Sequence, residues 1–160
     1  MKHLLIVYHS KTGHTQQLIS AALAGATDPQ VSVQVRLRRA AAAHAQDLLW
    51  ADGLLLGTPE NFGYMSGALK DFFDRTYYEV QGQLQPLPYA LIVAAGNDGS
   101  GAVREIQRIA RGYPLIEAAP PVISQLGVEA GLTGNPSPEA QQRCQELGMT
   151  LAAGLEMGIF

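Results

Sequence analysis

The chain has 160 residues, 47% of them apolar and 16% charged, with a formal net charge of −3 and one cysteine, Cys144. That length and apolar share suit a single folded unit over residues 1–160 with a sizeable core, and the mild charge offers no basic face for nucleic acid and no acidic tail. A lone cysteine excludes an intramolecular disulfide framework, and no apolar run reaches membrane-spanning length or makes a signal peptide, so the expected setting is the cytoplasm.

Short apolar runs alternate with longer helical patterns. The run HLLIVYH at residues 3–9 is β-rich without polar alternation, as a strand covered on both faces would be. Residues 14–26 read as a helix closed by Thr27-Asp28-Pro29. VSVQVRL at 31–37 alternates, which suits a strand at a sheet edge. Residues 41–51 are helical by propensity, with Trp50 expected in the core, and DGLLLGTP at 52–59 is a second buried strand expected to stop at Gly57-Thr58-Pro59. Residues 66–80 form a helix capped by Ser66, with Leu69, Phe72 and Phe73 on one side.

PYALIVAAG at 88–96 is a third buried strand, followed by a loop and a helix over 102–111. PPVISQLGV at 120–128 is the expected last strand, and a linker at 133–138 leads to a final helix with Ser137 as cap and Pro138 at its first position. Cys144 falls on that helix as a plain buried or half-buried thiol. Strands alternating with helices predict an α/β sandwich of three layers, a parallel sheet with helices on both faces. Five strands with the second alternating favour the order 2-1-3-4-5.

Ligands of such sheets bind beyond the carboxyl ends of the strands, near the switch between strands 1 and 3. That selects three loops. In the first, Ser10-Lys11-Thr12-Gly13-His14-Thr15, a helix start and three hydroxyls make an anion site suited to a phosphate monoester, with Gly13 allowing close backbone approach. Helix capping alone would need one hydroxyl, not three. Lys11 either joins the site or points outward, and His14 either meets phosphate or faces solvent. Neither the GxxxxGK[ST] nor the GxGxxG pattern is present, and the loop lacks the acidic cluster of a phosphoacceptor domain.

The second loop, GTPENFGYMSG at 57–67, places Phe62 and Tyr64 around Gly63, which suits a flat ring ligand; Phe62 packing into the core is the alternative. The third, AAGNDGSGA at 94–102, can present several backbone N–H groups. Alone it reads as an ordinary turn capped by Asp98 or Ser100. The four histidines show no metal-ligand spacing with Cys144 or one another, so no metal is expected.

Together the loops resemble those of the flavodoxin-like superfamily that binds flavin mononucleotide (FMN). Ser10, Thr12, Gly13 and Thr15 match its phosphate pattern [ST]-x-[ST]-G-x-[ST], and GTPENFGYMSGALKDFFDRT is similar to the second flavin loop of NAD(P)H:quinone oxidoreductases and NAD(P)H-dependent FMN reductases. The resemblance implies a flavodoxin-like fold. It implies phosphate contacts from Ser10, Lys11, Thr12, Gly13, His14 and Thr15, and ring contacts from Thr58, Pro59, Glu60, Asn61, Phe62 and Gly63. Ala95, Gly96, Asn97, Asp98 and Gly99 would line the pyrimidine edge and ribityl chain. The match covers residues 3–113 well and the remainder by element order.

Electron-carrier flavodoxins sandwich the ring between aromatics and are strongly acidic. Here no Phe, Tyr or Trp stands between Gly96 and Gly112, and 14 acidic residues face 11 basic ones. One ring face is therefore expected to be open. The implied reaction is a relay of hydride from NAD(P)H to flavin N5 and on to a quinone, an azo compound or a free flavin, with a one-electron carrier as the alternative. No catalytic side chain is required; Tyr64 stands as a candidate proton donor or ring cover. Asp98 is expected to face a ring N–H, a backbone N–H or solvent. The resemblance also allows a homo-oligomer, a dimer or tetramer, with Met65 and the Tyr77/Tyr78 pair at its interface or in the core.

Overall fold

Four strands lie side by side and parallel in a computed structural model that describes residues 1–126 and 135–160. They are β1 (Lys2–Tyr8), β2 (Val33–Arg39), β3 (Gly53–Asn61) and β5 (Leu87–Ala95), in the order β2-β1-β3-β5. The fifth position is shared by β6 (Leu115–Glu117) and β7 (Val122–Gln125), both parallel to β5. The order 2-1-3-4-5 therefore holds, with its last strand broken in two. Residues 118–121, Ala-Ala-Pro-Pro, cause the break, because Pro120 and Pro121 have no N–H for a ladder. This corrects the strand expected over 120–128: β6 lies before it, the paired residues are 122–125, and Gly127 and Val128 lie outside the described residues.

The helices α1 (His14–Ala26) and α5 (Pro138–Met157) cover one face; α2 (Ala45–Trp50), α3 (Gly67–Val80) and α4 (Ser100–Gly112) cover the other. Successive side chains of a strand point to opposite faces, and both faces are buried here. Leu4, Ile6, Leu55 and Ile92 meet Leu18, Ile19 and Leu151 below α1 and α5, where Cys144 is fully buried. Leu5, Val7, Leu54 and Leu56 meet Leu69, Phe72, Phe73 and Ile106 on the opposite face. Helices α1 and α5 cross with backbones in contact: a Cβ on Gly25 would stand 1.9 Å from Gln145 O, and one on Gly148 1.9 Å from Ala22 O. No residue of β2 is fully buried, in keeping with its edge position.

Two expected boundaries move. β3 does not stop at Pro59 but runs on to Asn61. Gly57 O accepts a hydrogen bond from His9 N at 3.1 Å, so residue 57, and residue 59 by the period of two, present their main chain toward β1. β1 has ended at Tyr8, opposite Gly57, so the missing N–H of Pro59 faces no partner strand. The helix expected over 41–51 is also broken, into a 3₁₀ turn (Ala40–Ala42) and α2, with His44 extended between them. The Asp47 carboxylate decides this. It accepts the His44 N–H at 2.9 Å and Arg36 Nη1 at 2.9 Å, with Arg38 Nε at 3.4 Å. Burial pushes its pKa up, but these bonds outweigh burial and hold it below the usual carboxylate value.

Other expectations are placed as follows. Ser66 caps α3 by accepting Leu69 N at 3.2 Å, and Ser137 caps α5 by accepting Ala140 N at 3.0 Å, with Pro138 in the first turn. Trp50 is half-buried rather than deep in the core; it stacks on His3 at 4.3 Å between centroids, with Arg36 3.9 Å from its own ring centroid. Met65 belongs to the core, whereas Tyr77 is half-buried and Tyr78 exposed beside a 440 Å³ groove between α3 and α4.

Candidate functional site

Because β1, β3 and β5 are parallel neighbours, their carboxyl ends carry three loops to one end of the sheet. In the first, Gly13 takes φ 99°, a left-handed conformation that turns the chain into α1. Ser10 Oγ accepts the N–H groups of Gly13 and Gln16, both at 3.2 Å, so one hydroxyl does the capping. Thr12 Oγ lies 3.2 Å from His14 Nδ1, which draws His14 into the loop, while Lys11 is exposed. Thr15 is 1% exposed and its hydroxyl has no hydrogen-bond partner among the described residues. No fully buried side-chain oxygen of these residues lacks a partner, so the sliver of surface that Thr15 keeps includes its hydroxyl. The N–H groups of Lys11, Thr12, His14 and Thr15 are likewise unpaired among the described residues. Free donors at the positive end of a 13-residue helix are an anion-binding arrangement.

The second loop is a β-hairpin. β3 pairs antiparallel with β4 (Tyr64–Met65) through Glu60↔Met65 and Asn61↔Tyr64, leaving Phe62 and Gly63 as a two-residue turn. Both have positive φ, 53° and 69°, as a type I′ turn requires. Phe62 is fully exposed at the tip, which rules out its packing in the core. A bulky residue in the left-handed region costs about 1–2 kcal/mol, so this aromatic is held against local preference. Tyr64 is half-buried, and Asn61 and Gly63 are exposed. Thr58 faces inward: its hydroxyl accepts Ser66 N at 2.9 Å and donates to Pro59 O at 2.8 Å, bracing the hairpin from below.

In the third loop Ala95 and Gly99 are buried while Gly96, Asn97 and Asp98 are exposed. The Asp98 carboxylate accepts the Ser100 hydroxyl at 2.7 Å and the Ser100 N–H at 3.3 Å, bonds that hold its pKa below the ordinary value. Asp98, one residue before the N-cap Gly99 of α4, thereby faces a backbone N–H. The N–H groups of Gly96, Asn97 and Asp98 are unpaired among the described residues. Gln125 Nε2, from β7, donates to Asp98 O at 3.3 Å.

Two connections between loops have no local sequence signal. Glu60 Oε1 accepts the Gly99 N–H at 2.9 Å, and Oε2 accepts that of Ala102 at 3.0 Å. Gly101 approaches the hairpin so closely that a Cβ there would stand 2.2 Å from Gly63 O. The partners are about 40 positions apart, so only the sheet order brings them together. The chemistry of the assembled end suits a flat ring bearing a phosphate: unpaired N–H groups and a free hydroxyl at a helix start, an exposed aromatic tip, and a second row of unpaired N–H groups. Among the described residues, no group of three or more His, Cys, Asp or Glu is placed to hold a metal ion, and no helix is long and apolar enough to cross a membrane.

Comparison with known proteins gives the family and the fold. Residues 28–115 match the family model of NADPH-dependent FMN reductase, a span that holds the second and third loops. A flavodoxin of Aquifex aeolicus is 28% identical over 95% of this chain and 86% of its own. An NAD(P)H dehydrogenase (quinone) of Acidithiobacillus ferrooxidans is 34% identical over 48% of each chain, so the match spans about half of that enzyme. Among solved structures, a flavodoxin from the domain Archaea superposes with TM-score 0.75 at 19% identity over 96% of this chain and 98% of its own. A WrbA-like flavodoxin from Agrobacterium tumefaciens does so with TM-score 0.74 at 16% identity over 98% and 99%. At those identities the superpositions establish the flavodoxin-like fold.

Proposed function

We propose, from the premise that the chain belongs to the NADPH-dependent FMN reductase family, that its three strand-end loops hold FMN and leave the ring open to a nicotinamide and then to a quinone-like or flavin acceptor. The cofactor is FMN, and the enzyme class is NAD(P)H-dependent flavin oxidoreductase.

When bound, FMN supplies the hydride chemistry itself, and the protein supplies binding, orientation and electrostatics. The N–H groups of Lys11, Thr12, His14 and Thr15, with the Thr12 and Thr15 hydroxyls, would take the phosphate at the positive end of α1, in a loop stiffened by Ser10. Pro59, Asn61 and the Phe62–Gly63 tip would line the ring. The main-chain N–H groups of Gly96, Asn97 and Asp98 would meet its polar edge. Asp98, already engaged with Ser100, is not a proton donor in this reading.

The observation that carries the reading is the bareness of the third loop. Residues 97–112 contain no Phe, Tyr or Trp, so no ring from this loop opposes Phe62, and flat reactants have a surface to stack on in turn. A one-electron carrier is the second reading, favoured by the flavodoxin of Aquifex aeolicus, which aligns over 95% of this chain.

The test is to reconstitute the protein with FMN, exclude oxygen, add NADPH or NADH, and follow the visible absorbance. Bleaching directly to the two-electron-reduced spectrum is expected. Bound FMN that ignores both nucleotides yet takes single electrons from a chemical reductant would replace the reductase reading with the carrier.

A further inference from the structure

Among the described residues, Glu60 is the one carboxylate that joins two of the three loops. It stands on β3 just before the hairpin turn, paired with the buried Met65, and both its oxygens are spent on main-chain N–H groups at the start of α4. A carboxylate there meets two hydrogen-bond donors and the positive end of a helix dipole together. The same joint is closed a second time where Gly63 O presses on Gly101. The hairpin tip and the third loop are thus fastened at two points, while the N–H groups of Gly96, Asn97 and Asp98 stay unpaired among the described residues.

We infer that Glu60 is a positioning residue: it sets the width of the slot between the Phe62–Gly63 tip and the main chain of residues 96–98, and so governs binding of the flavin ring rather than of the phosphate. This rests on the flavin reading above. Glutamine is nearly isosteric but has a single acceptor oxygen, and its amide nitrogen would confront an N–H donor. Glu60→Gln therefore loses one of the two bonds and weakens the other by removing its charge.

The experiment titrates apoprotein with FMN and, separately, with riboflavin, which has the ring but no phosphate, following quenching of flavin fluorescence, with circular dichroism confirming the fold. Wild type should bind both, FMN more tightly. Glu60→Gln should weaken both by about tenfold or more, with the ratio of the two affinities unchanged. Gly101→Ala attacks the same joint from the other side and should reproduce the pattern, which keeps the test open should Glu60→Gln not fold.

A folded Glu60→Gln that melts at lower temperature but binds both flavins as wild type does would make Glu60 a mere helix cap and overturn the inference. A loss confined to FMN would overturn it too, by moving the effect to the phosphate. Wild type that binds neither flavin would overturn the flavin reading itself, a result separate from either variant.

Discussion

Gly63 O lies 2.2 Å from the point where a Cβ on Gly101 would stand, so the hairpin of the second loop is seated directly on the first turn of α4. Gly101→Ala must push the two apart. Overpacking of this kind costs about 1–3 kcal/mol, measured as a lower urea midpoint with unchanged m-value. Gly112→Ala is the control: it lies in the same helix with nothing within 4 Å of its Cβ position and should stabilise by about 0.5–1 kcal/mol.

Thr15→Val separates binding from stability. The Thr15 hydroxyl has no protein partner among the described residues, and valine keeps its shape. The apoprotein should therefore melt at or above the wild-type temperature, while FMN affinity falls by about tenfold, the worth of one hydrogen bond to a charged group, and riboflavin affinity stays put. Equal losses for both flavins would take the phosphate away from Thr15.

Phe62→Asn should trade function for stability. Asparagine tolerates φ 53° and, followed by Gly63, makes the preferred type I′ pair. A gain of about 1 kcal/mol is expected, seen as a rise of about 2–4 °C in melting temperature. The same change removes the exposed ring, so anaerobic reduction of bound FMN by NADPH should slow. A faster reaction would show that Phe62 obstructs the site.

Alkaline pH should loosen the fold through two buried tyrosines. Burial raises both Tyr89 and Tyr113 to about 12. Tyr113 is the better anchored: its hydroxyl donates to Phe73 O and lies 2.9 Å from the Thr76 hydroxyl. A phenol whose folded pKa exceeds its unfolded value of about 10 stabilises fully below pH 10 and loses that contribution as pH rises toward 12. Tyr113→Phe should therefore flatten the stability loss between pH 10 and 12, measured as the urea midpoint at each pH. A Tyr113→Phe protein that loses stability over this range as steeply as wild type would contradict this.

Much of this was legible along the chain because it is local. Leu4 to Tyr8 show no alternation because both faces of β1 are covered, and β2 alternates because it sits at an edge. Ser66 and Ser137 announce their helices because a cap acts over three residues. Asp47 broke the expected helix unannounced, since Arg36 and Arg38 reach it from a neighbouring strand. Pro59 gave a false strand end because its tolerance depends on where β1 stops.

The candidate site divides along the same line. Residues 10–15 carry their meaning in sequence, because a strand, a left-handed glycine and a helix start are enough to aim N–H groups at one point. What binds the second loop to the third was settled only in three dimensions. Glu60 finds Gly99 and Ala102, and Gly63 finds Gly101, because β3 and β5 are parallel neighbours whose ends must share one edge of the sheet. Spacing along the chain determines what a loop can offer; which loops face each other is decided by the sheet order, through contacts whose partners have no short-range relation.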